Sequence, residues 1–265
     1  MLLLLLSCTR SAPPDGLPPS VGGERPAALV APADWDGVSR LPVVLLLHGL
    51  GSSAGQQDRY LRLSRQVDEQ GFLLVLPDGL PRDKDGQPAW NATPACCKWN
   101  EEDDVAYLSG LMDELEAFPV DGFHVTGHSN GGFMSYRLAC EDERVEAIAS
   151  LAGSTFLTRE ECRRGQPVDV LQIHGTDDET VPFGGKPDKY PGAQATVERW
   201  AGRAGCTGSS ALEPVDLVIP LGAETTRTRW DCPEHRVELW AMAGVGHIPP
   251  VRGSYSRDVV AWLLE

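Results

Sequence analysis

Short apolar runs alternate with longer amphipathic segments along most of the chain. Six runs of eight or nine residues are apolar enough to predict buried strands, and they lie at 41–49, 72–79, 122–129, 145–153, 168–175 and 236–244. Segments with apolar residues three or four positions apart predict helices at 54–71, 101–118, 193–205 and 254–265. In the second of these, Val105, Leu108, Leu111, Met112 and Leu115 share one face.

Regular alternation of strands and helices predicts an α/β fold. Parallel strands joined by helices form a mainly parallel sheet that is covered by helices on both faces. The chain has 265 residues, of which 42% are hydrophobic, and this is enough for one globular domain. We therefore expect a single α/β domain over residues 25–265.

The first 24 residues follow a different pattern. An apolar run from Leu2 to Leu6 ends at Ser7 and Cys8, and a segment rich in proline and glycine follows. The run resembles a bacterial lipobox, which implies a lipoprotein signal, lipidation of Cys8 and a flexible tether over 1–24. The alternative is a short apolar terminus with no role. No later run is long enough for a transmembrane helix, so Cys8 is the only predicted membrane attachment.

Net charge narrows the range of partners. The formal net charge is −15 at pH 7, which would repel phosphate groups over most of the surface. Binding to nucleic acid or to an anionic membrane surface is therefore not expected. Neutral substrates fit this charge better.

Six of the seven cysteines remain once Cys8 is set aside. An even set of this kind is typical of disulfides formed in an oxidising compartment, so we expect a secreted or lipid-anchored extracytoplasmic protein. The six are Cys96, Cys97, Cys140, Cys162, Cys206 and Cys232. Their spacing matches no zinc motif, and no metal site is predicted. Reduced, buried cysteines are the alternative.

The segment GHSNGG, residues 127–132, fits the pattern Gly-x-Ser-x-Gly at the end of a predicted strand. This pattern is typical of a turn that exposes a nucleophilic serine, although an ordinary glycine-rich turn has the same composition. Other predicted strands end at His48, at Asp177 and Asp178, and just before His247. Because such ends meet at one edge of a parallel sheet, we expect a nucleophile, an acid and a base to lie together there.

Several blocks together are similar to one known family. They include LLLHGLGSSA, GHSNGGFMSYRLACE, IHGTDDETVPF and GVGHIPP. From about Arg25 to its end, the chain resembles the polyhydroxybutyrate depolymerase and feruloyl-esterase-like branch of the α/β-hydrolases. The resemblance implies an α/β-hydrolase fold, no cofactor, and ester substrates such as hydroxyalkanoate, feruloyl or acetyl esters, including polymeric ones.

The resemblance also implies a role for each residue of a Ser-His-Asp triad. Ser129 is the expected nucleophile and His247 its base, because a serine hydroxyl needs a neighbouring base. The family pattern has the acid three residues before Val181, which selects Asp178 over Asp177. The expected oxyanion donors are the backbone N–H groups of Asn130 and Leu50. The expected activity is ester hydrolysis through an acyl-enzyme; the alternatives are a serine peptidase and an inactive scaffold for surface binding.

Other residues carry weaker expectations. Trp90, Asn91 and Trp99 are candidates for the substrate cleft, with packing around Cys96 and Cys97 as the alternative. His48, His128 and His174 are expected to shape loops, and Asp103 and Asp104 to cap a helix.

The family resemblance also implies a pairing of the cysteines. It pairs Cys206 with Cys232. Cys140 and Cys162 would then pair with Cys96 and Cys97, in an order that the sequence leaves open.

Overall fold

The computed structural model of the chain describes residues 16–82, 86–97, 102–162, 165–219 and 222–265. In chain order its strands are β1 Ser20–Val21, β2 Ala27–Val30, β3 Leu41–Leu47, β4 Leu73–Leu76, β5 Leu80–Pro81, β6 Pro88–Ala89, β7 Val120–His128, β8 Val145–Leu151, β9 Asp169–Gly175, β10 Gly185–Lys186, β11 Tyr190–Pro191, β12 Ser209–Val215, β13 Thr225–Trp230 and β14 Val237–Met242. The α-helices are α1 Ala54–Leu61, α2 Val67–Gln70, α3 Asp104–Leu115, α4 Asn130–Glu141, α5 Ala193–Arg203 and α6 Gly253–Leu264.

Ten strands form one sheet in the order β1-β2-β4-β3-β7-β8-β9-β14-β13-β12. The six central strands, from β4 to β14, are parallel to one another. Antiparallel strands extend the sheet at both edges. The prediction of a mainly parallel sheet is therefore confirmed.

Each face of the sheet carries its own hydrophobic core. Along β3, Val43, Leu45 and Leu47 contribute to one core, whereas Val44 and Leu46 contribute to the other. This alternation is what a strand buried on both faces requires. Helices α3, α4 and α5 pack on the first face, and α1, α2 and α6 pack on the second.

The helix predicted at 54–71 is interrupted. Helix α1 ends at Leu61, and a 3₁₀ turn, Leu63–Arg65, separates it from α2. Arg62 has a left-handed backbone with φ 61°, and the Asp58 carboxylate accepts a hydrogen bond from Ser64 N–H at 2.8 Å. The left-handed residue ends the helix, so the single predicted helix is wrong. The predicted stop at Gly71 is confirmed, since Gly71 caps α2 with φ 66°.

Residues 17–24 pack against the domain and do not form the flexible tether that was predicted for them. Leu17 and Val21 are buried in the first core, and β1 pairs with β2. The N–H of Gly22 donates to the Glu114 carboxylate on α3. The sheet thus begins before the predicted boundary at Arg25, because Leu17 and Val21 of the predicted tether are buried in the core. The part of the predicted signal up to residue 15 lies outside the described residues.

Two strands at the far edge of the sheet were not predicted. Strands β12 and β13 form an antiparallel pair beside β14, and the side chains of β12 are mostly exposed. An edge strand with little buried surface has no apolar run to mark it. Helix α3 begins at Asp104, inside the predicted segment, and the Asp103 side chain caps it by accepting a hydrogen bond from Ala106 N–H at 3.1 Å. The Asp104 side chain, also expected to cap, instead accepts from Arg25 and from Asn91 N–H.

Three disulfides link the six cysteines. The pairs are Cys96 with Cys97, Cys140 with Cys162, and Cys206 with Cys232. The third pair agrees with the prediction. The expectation that Cys140 and Cys162 would pair with Cys96 and Cys97 is wrong, because Cys140 on α4 faces Cys162 directly, with 5.3 Å between their Cα atoms.

The part of the chain that the structure describes contains no helix with the length and apolar composition needed to cross a bilayer.

Replacing Cys140 and Cys162 together by alanine tests the central disulfide. The two cysteines are 22 positions apart in sequence. Without the disulfide that closes this loop, the unfolded chain gains conformational entropy, and the free energy of unfolding should fall by about 3 kcal/mol. Urea denaturation of wild type and variant measures the difference. A non-reducing peptide map is the companion measurement. A peptide that joins Cys140 or Cys162 to Cys96 or Cys97 would contradict the pairing.

His124 makes stability depend on pH. It is buried in β7, and burial, aided by the positive charge of Arg236, lowers its pKa to about 4. Below about pH 6.5 the unfolded chain gains a proton that the folded chain does not. Stability should therefore fall between about pH 6.5 and 4, by up to about 1.4 kcal/mol per pH unit from this residue.

Substitution of His124 isolates that contribution. His124→Asn should reduce the slope of unfolding free energy against pH in this window and leave it unchanged above pH 7. Urea denaturation at half-unit intervals measures both. Equal slopes for variant and wild type below pH 6.5 would show that His124 titrates alike in both states.

Candidate active site

Ser129 lies in the sharp turn between β7 and α4. Its backbone angles are φ 55° and ψ −119°, a conformation that residues other than glycine rarely adopt. The Ser129 N–H donates to Leu151 O at 2.8 Å, and its carbonyl accepts from Phe133 N–H at 3.0 Å. These two bonds hold the strained residue between β8 and the first turn of α4.

Two glycines allow α4 to approach the sheet this closely. A Cβ added to Gly131 would lie 2.2 Å from Leu47 O, and one added to Gly132 would lie 3.1 Å from the Gly153 Cα. The first distance leaves no room for any side chain. The glycines of the GHSNGG segment are therefore required by the packing around Ser129.

Ser129, His247 and Asp178 form one continuous chain of hydrogen bonds. His247 Nε2 lies 2.9 Å from Ser129 Oγ, and its Nδ1 lies 2.7 Å from Asp178 Oδ2. Since a carboxylate only accepts, Nδ1 carries the proton and Nε2 accepts from the serine hydroxyl. The His247 side chain is 14% exposed and that of Asp178 is fully buried. The structure thus brings together the three residues that the sequence placed at separate strand ends.

Hydrogen-bond donors around Asp178 stabilise its ionised form. Its Oδ1 accepts from the N–H groups of Thr180 and Val181 at 2.9 and 2.8 Å. Burial alone would raise its pKa, but hydrogen bonds from His174, His247 and Val181 outweigh burial and hold the pKa well below its usual range. Asp178 therefore stays ionised beside His247 at neutral pH.

Asp177 has a different environment. Its side chain is exposed and accepts a hydrogen bond from Thr176 Oγ1 at 3.1 Å. Its backbone N–H donates to Val245 O at 3.0 Å, in the loop that carries His247. Asp177 thus tethers that loop through its backbone, while the side chain that meets His247 is that of Asp178.

A buried network supports Asp178 from behind. His174 Nε2 lies 3.3 Å from Asp178 Oδ2 and 2.7 Å from Val181 O, so Nε2 is protonated. The other ring nitrogen accepts from the Gln172 amide at 3.0 Å. The amide oxygen of Gln172 in turn accepts from Tyr136 Oη at 2.8 Å. This network runs from α4 to the acid.

His128 and His48 are both fixed as neutral rings. His128 Nε2 donates to the backbone carbonyl of His247 at 2.9 Å, and burial lowers the pKa of His128 to about 4. His48 Nδ1 donates to Gly49 O at 2.8 Å, while its Nε2 accepts from Gly79 N–H at 2.8 Å. Both shape loops, as expected, and His128 also positions the backbone of His247.

The loop after β3 runs beside Ser129. A Cβ added to Gly49 would lie 3.6 Å from Ser129 Cβ, and the next residue, Leu50, is 40% exposed. On the other side, Asn130 opens α4 directly after the serine. Its side chain bonds both the N–H and the carbonyl of Trp90, at 2.7 and 2.9 Å. Leu50 and Asn130 thus belong to the two backbone segments next to Ser129.

Two of the three candidate cleft residues, Trp90 and Asn91, are buried. Trp90 has no exposed surface, and its indole N–H donates to His48 O at 2.9 Å. Asn91 is 3% exposed, its N–H donates to Asp104 at 2.7 Å, and its side chain bonds Glu102 O. The fully buried Trp90 therefore contacts protein, as the packing alternative requires, whereas Asn91 also lines a cavity of about 300 Å³ together with Arg137 and Glu141. Trp99, the third candidate, and Cys8 lie outside the described residues.

Sequence reasoning missed Gln172 and Tyr136. A glutamine within the apolar strand VLQIHG was the available signal, because a polar side chain at a buried strand position needs partners. Tyr136 gave no signal, since its spacing on α4 is that of an ordinary core residue.

Comparison with known proteins shows which proteins this chain is similar to. A profile described as "alpha/beta hydrolase fold" matches residues 42–172. A putative esterase, NocK, from Nocardia uniformis subsp. tsuyamanensis is 30% identical over 231 residues, which cover 79% of this chain and 65% of that protein. Feruloyl esterase B from Piromyces equi is 28% identical over 194 residues, covering 67% of this chain and 35% of that enzyme. The chain therefore spans less than two thirds of the length of either relative.

A solved structure agrees on the fold. The acetyl xylan esterase from Aspergillus awamori superposes with a TM-score of 0.64 at 14% identity, covering 89% of this chain and 94% of that one. At this identity the likeness concerns the fold alone. With the profile match, the sheet order and the strained serine turn, it confirms the predicted fold: the chain has the α/β-hydrolase fold.

Proposed function

We propose that this α/β-hydrolase is a serine carboxylic-ester hydrolase that acts through an acyl-enzyme. The hydrogen-bonded chain Ser129–His247–Asp178 carries the proposal, with its two bonds of 2.9 and 2.7 Å. It provides a nucleophile, a base with a defined tautomer and a buried carboxylate that stabilises the charged ring.

Acylation begins with attack of Ser129 Oγ on the ester carbonyl carbon. His247 Nε2 takes the hydroxyl proton as the new C–O bond forms, and Asp178 stabilises the resulting imidazolium. The backbone N–H groups of Leu50 and Asn130 donate to the developing oxyanion, aided by the positive end of the α4 dipole. The tetrahedral intermediate then collapses, His247 returns the proton to the leaving alcohol, and Ser129 is left acylated.

Deacylation repeats these steps with water. His247 Nε2 removes a proton from the water as its oxygen attacks the acyl carbon, and then returns it to Ser129 Oγ. The carboxylic acid leaves and the enzyme is restored. Because every step uses side chains and backbone N–H groups of this chain, a chelator is expected to leave the rate unchanged.

The substrates we propose are small, uncharged esters, namely feruloyl, acetyl and hydroxyalkanoate esters. The names of relatives support the first two, and the resemblance stated from the sequence supports the third. Around the serine, Leu50 and Ile248 are exposed apolar side chains, and Ile248 is next to His247 in sequence. They give the entrance an apolar rim that suits uncharged acyl groups.

We further propose an extracytoplasmic location. Three disulfides in one domain of this size are typical of an oxidising compartment. Lipidation of Cys8 stays a prediction.

Removal of the nucleophile is the first test. Ser129→Ala should lower kcat for short acyl nitrophenyl esters on the order of 10³-fold or more, because among the described residues only Ser129 brings a hydroxyl to His247 Nε2. Ser210→Ala, on the exposed edge strand β12, is the matched control and should keep full activity. A serine-reactive phosphonate should label wild type and the control but not Ser129→Ala. Full activity in Ser129→Ala would end the proposal, and no activity in wild type on any tested ester would favour an inactive scaffold.

The two adjacent aspartates give the second test. Asp178→Asn removes the acceptor that orients His247 and should lower turnover about 10⁴-fold by analogy with serine proteases. Asp177→Asn is the matched neighbour, and because its side chain is exposed the loss should be roughly tenfold or less. Steady-state kinetics on one nitrophenyl ester compares them. The reverse ranking would assign the acid to Asp177 and leave the serine mechanism intact.

A further inference from the structure

A cavity of about 200 Å³ lies between α5 and the loop that follows β8, apart from the serine site. Three arginines line it, Arg159 from the loop and Arg199 and Arg203 from α5. Thr155, Thr158 and Trp200 complete most of the wall. None of the residues lining this cavity belongs to the hydrogen-bonded chain around Ser129.

The three arginines concentrate positive charge in an acidic protein. The chain has a formal net charge of −15, yet none of these guanidinium groups forms an ion pair with a carboxylate of the described residues. Burial, together with the positive charge of Arg159, lowers the pKa of both Arg199 and Arg203, although Glu161 and Glu160 partly offset the effect at Arg199. Like charges placed close together are unfavourable unless an anion lies between them.

The backbone carbonyls around Arg199 and Arg203 use only some of the guanidinium N–H groups of these two residues. Arg199 Nη1 donates to the carbonyls of Phe156 and Leu157, and Arg203 donates to those of Cys162 and Gly165. A guanidinium carries five N–H groups, so these bonds use two on each arginine. The carbonyls fix the position of both guanidinium groups and leave the remaining N–H groups for a ligand.

Arg159 completes the arrangement from the opposite side. Its Nη2 lies 3.6 Å from where a Cβ on Gly202 would be, so the side chain folds back over α5. Within the described chain, Arg159 donates no hydrogen bond of its own, which leaves its whole fork available.

We propose that this cavity binds the oxyanion group of a small molecule, a phosphate, sulfate or carboxylate. Planar guanidinium forks pair with such groups through two parallel hydrogen bonds, and the Thr155 hydroxyl, which accepts from the Trp200 indole N–H, still has its own O–H to donate. The volume equals that of about six or seven liquid waters, which exceeds one inorganic ion and leaves room for a small organic body beside Trp200.

Calorimetric titration tests the site directly. Inorganic sulfate and glucuronate are titrated separately into the full chain at constant ionic strength, with glucose as the uncharged counterpart of glucuronate. Saturable binding is expected for at least one of the two anions and not for glucose, and the anion that binds more tightly identifies the kind of oxyanion. Binding should weaken as sodium chloride rises, because the attraction is screened.

Two arginine variants distinguish anion binding in this cavity from nonspecific electrostatic attraction to the protein surface. Arg159→Ala should weaken binding at least tenfold, and because this side chain is exposed the variant should fold normally. Arg40→Ala removes the same charge from a distant exposed position and should bind like wild type. The proposal is overturned if neither anion binds saturably, or if both variants bind as wild type does. Ester hydrolysis is not the readout, so the result is independent of the function proposed for Ser129.

Discussion

The left-handed backbone of Ser129 is the constraint on which the rest of the site depends. A residue other than glycine in this conformation costs of order 1–3 kcal/mol, so the surrounding structure must hold it there. The Leu151 carbonyl, the first turn of α4 and the close contact of Gly131 with β3 do so together. Because β3, β7 and β8 are adjacent parallel strands, the core that stabilises the sheet also maintains the strain at the serine.

Helix α4 positions both ends of the hydrogen-bonded chain. Its first residue follows Ser129, and its second turn carries Tyr136, whose hydroxyl bonds Gln172 and through it His174 and Asp178. All four of these side chains are buried. Buried polar groups that are fully paired strengthen one another and fix a single arrangement. A shift of α4 would therefore move the nucleophile and loosen the acid at once, which couples the two residues more closely than their distance in sequence implies.

The central strands were predictable because both their faces are buried, and residues such as those of β3 then form uninterrupted apolar runs. Ser129, Asp178 and His247 were predictable as neighbours because parallel strands end at one edge. The edge strand β12 was not, since its side chains are exposed and periodicity carries no signal there. Cysteine pairing depends on distances between helices and loops, which no pattern along the chain encodes. Arg62 ends α1 through backbone geometry that the helical spacing of apolar residues conceals.

The segment after β8, residues 153–162, contacts the helix that follows the strained turn and also lines the arginine cavity. At its start, Gly153 lies so close to α4 that a Cβ there would be 2.5 Å from the Gly132 carbonyl carbon. At its end, Cys162 is bonded to Cys140 near the last turn of the same helix. Between these points Arg199 holds the segment through two carbonyls. The segment thus contacts α4 at both of its ends and is hydrogen-bonded to α5 in between. The disulfide and the arginine contacts therefore stabilise the helix that presents Ser129.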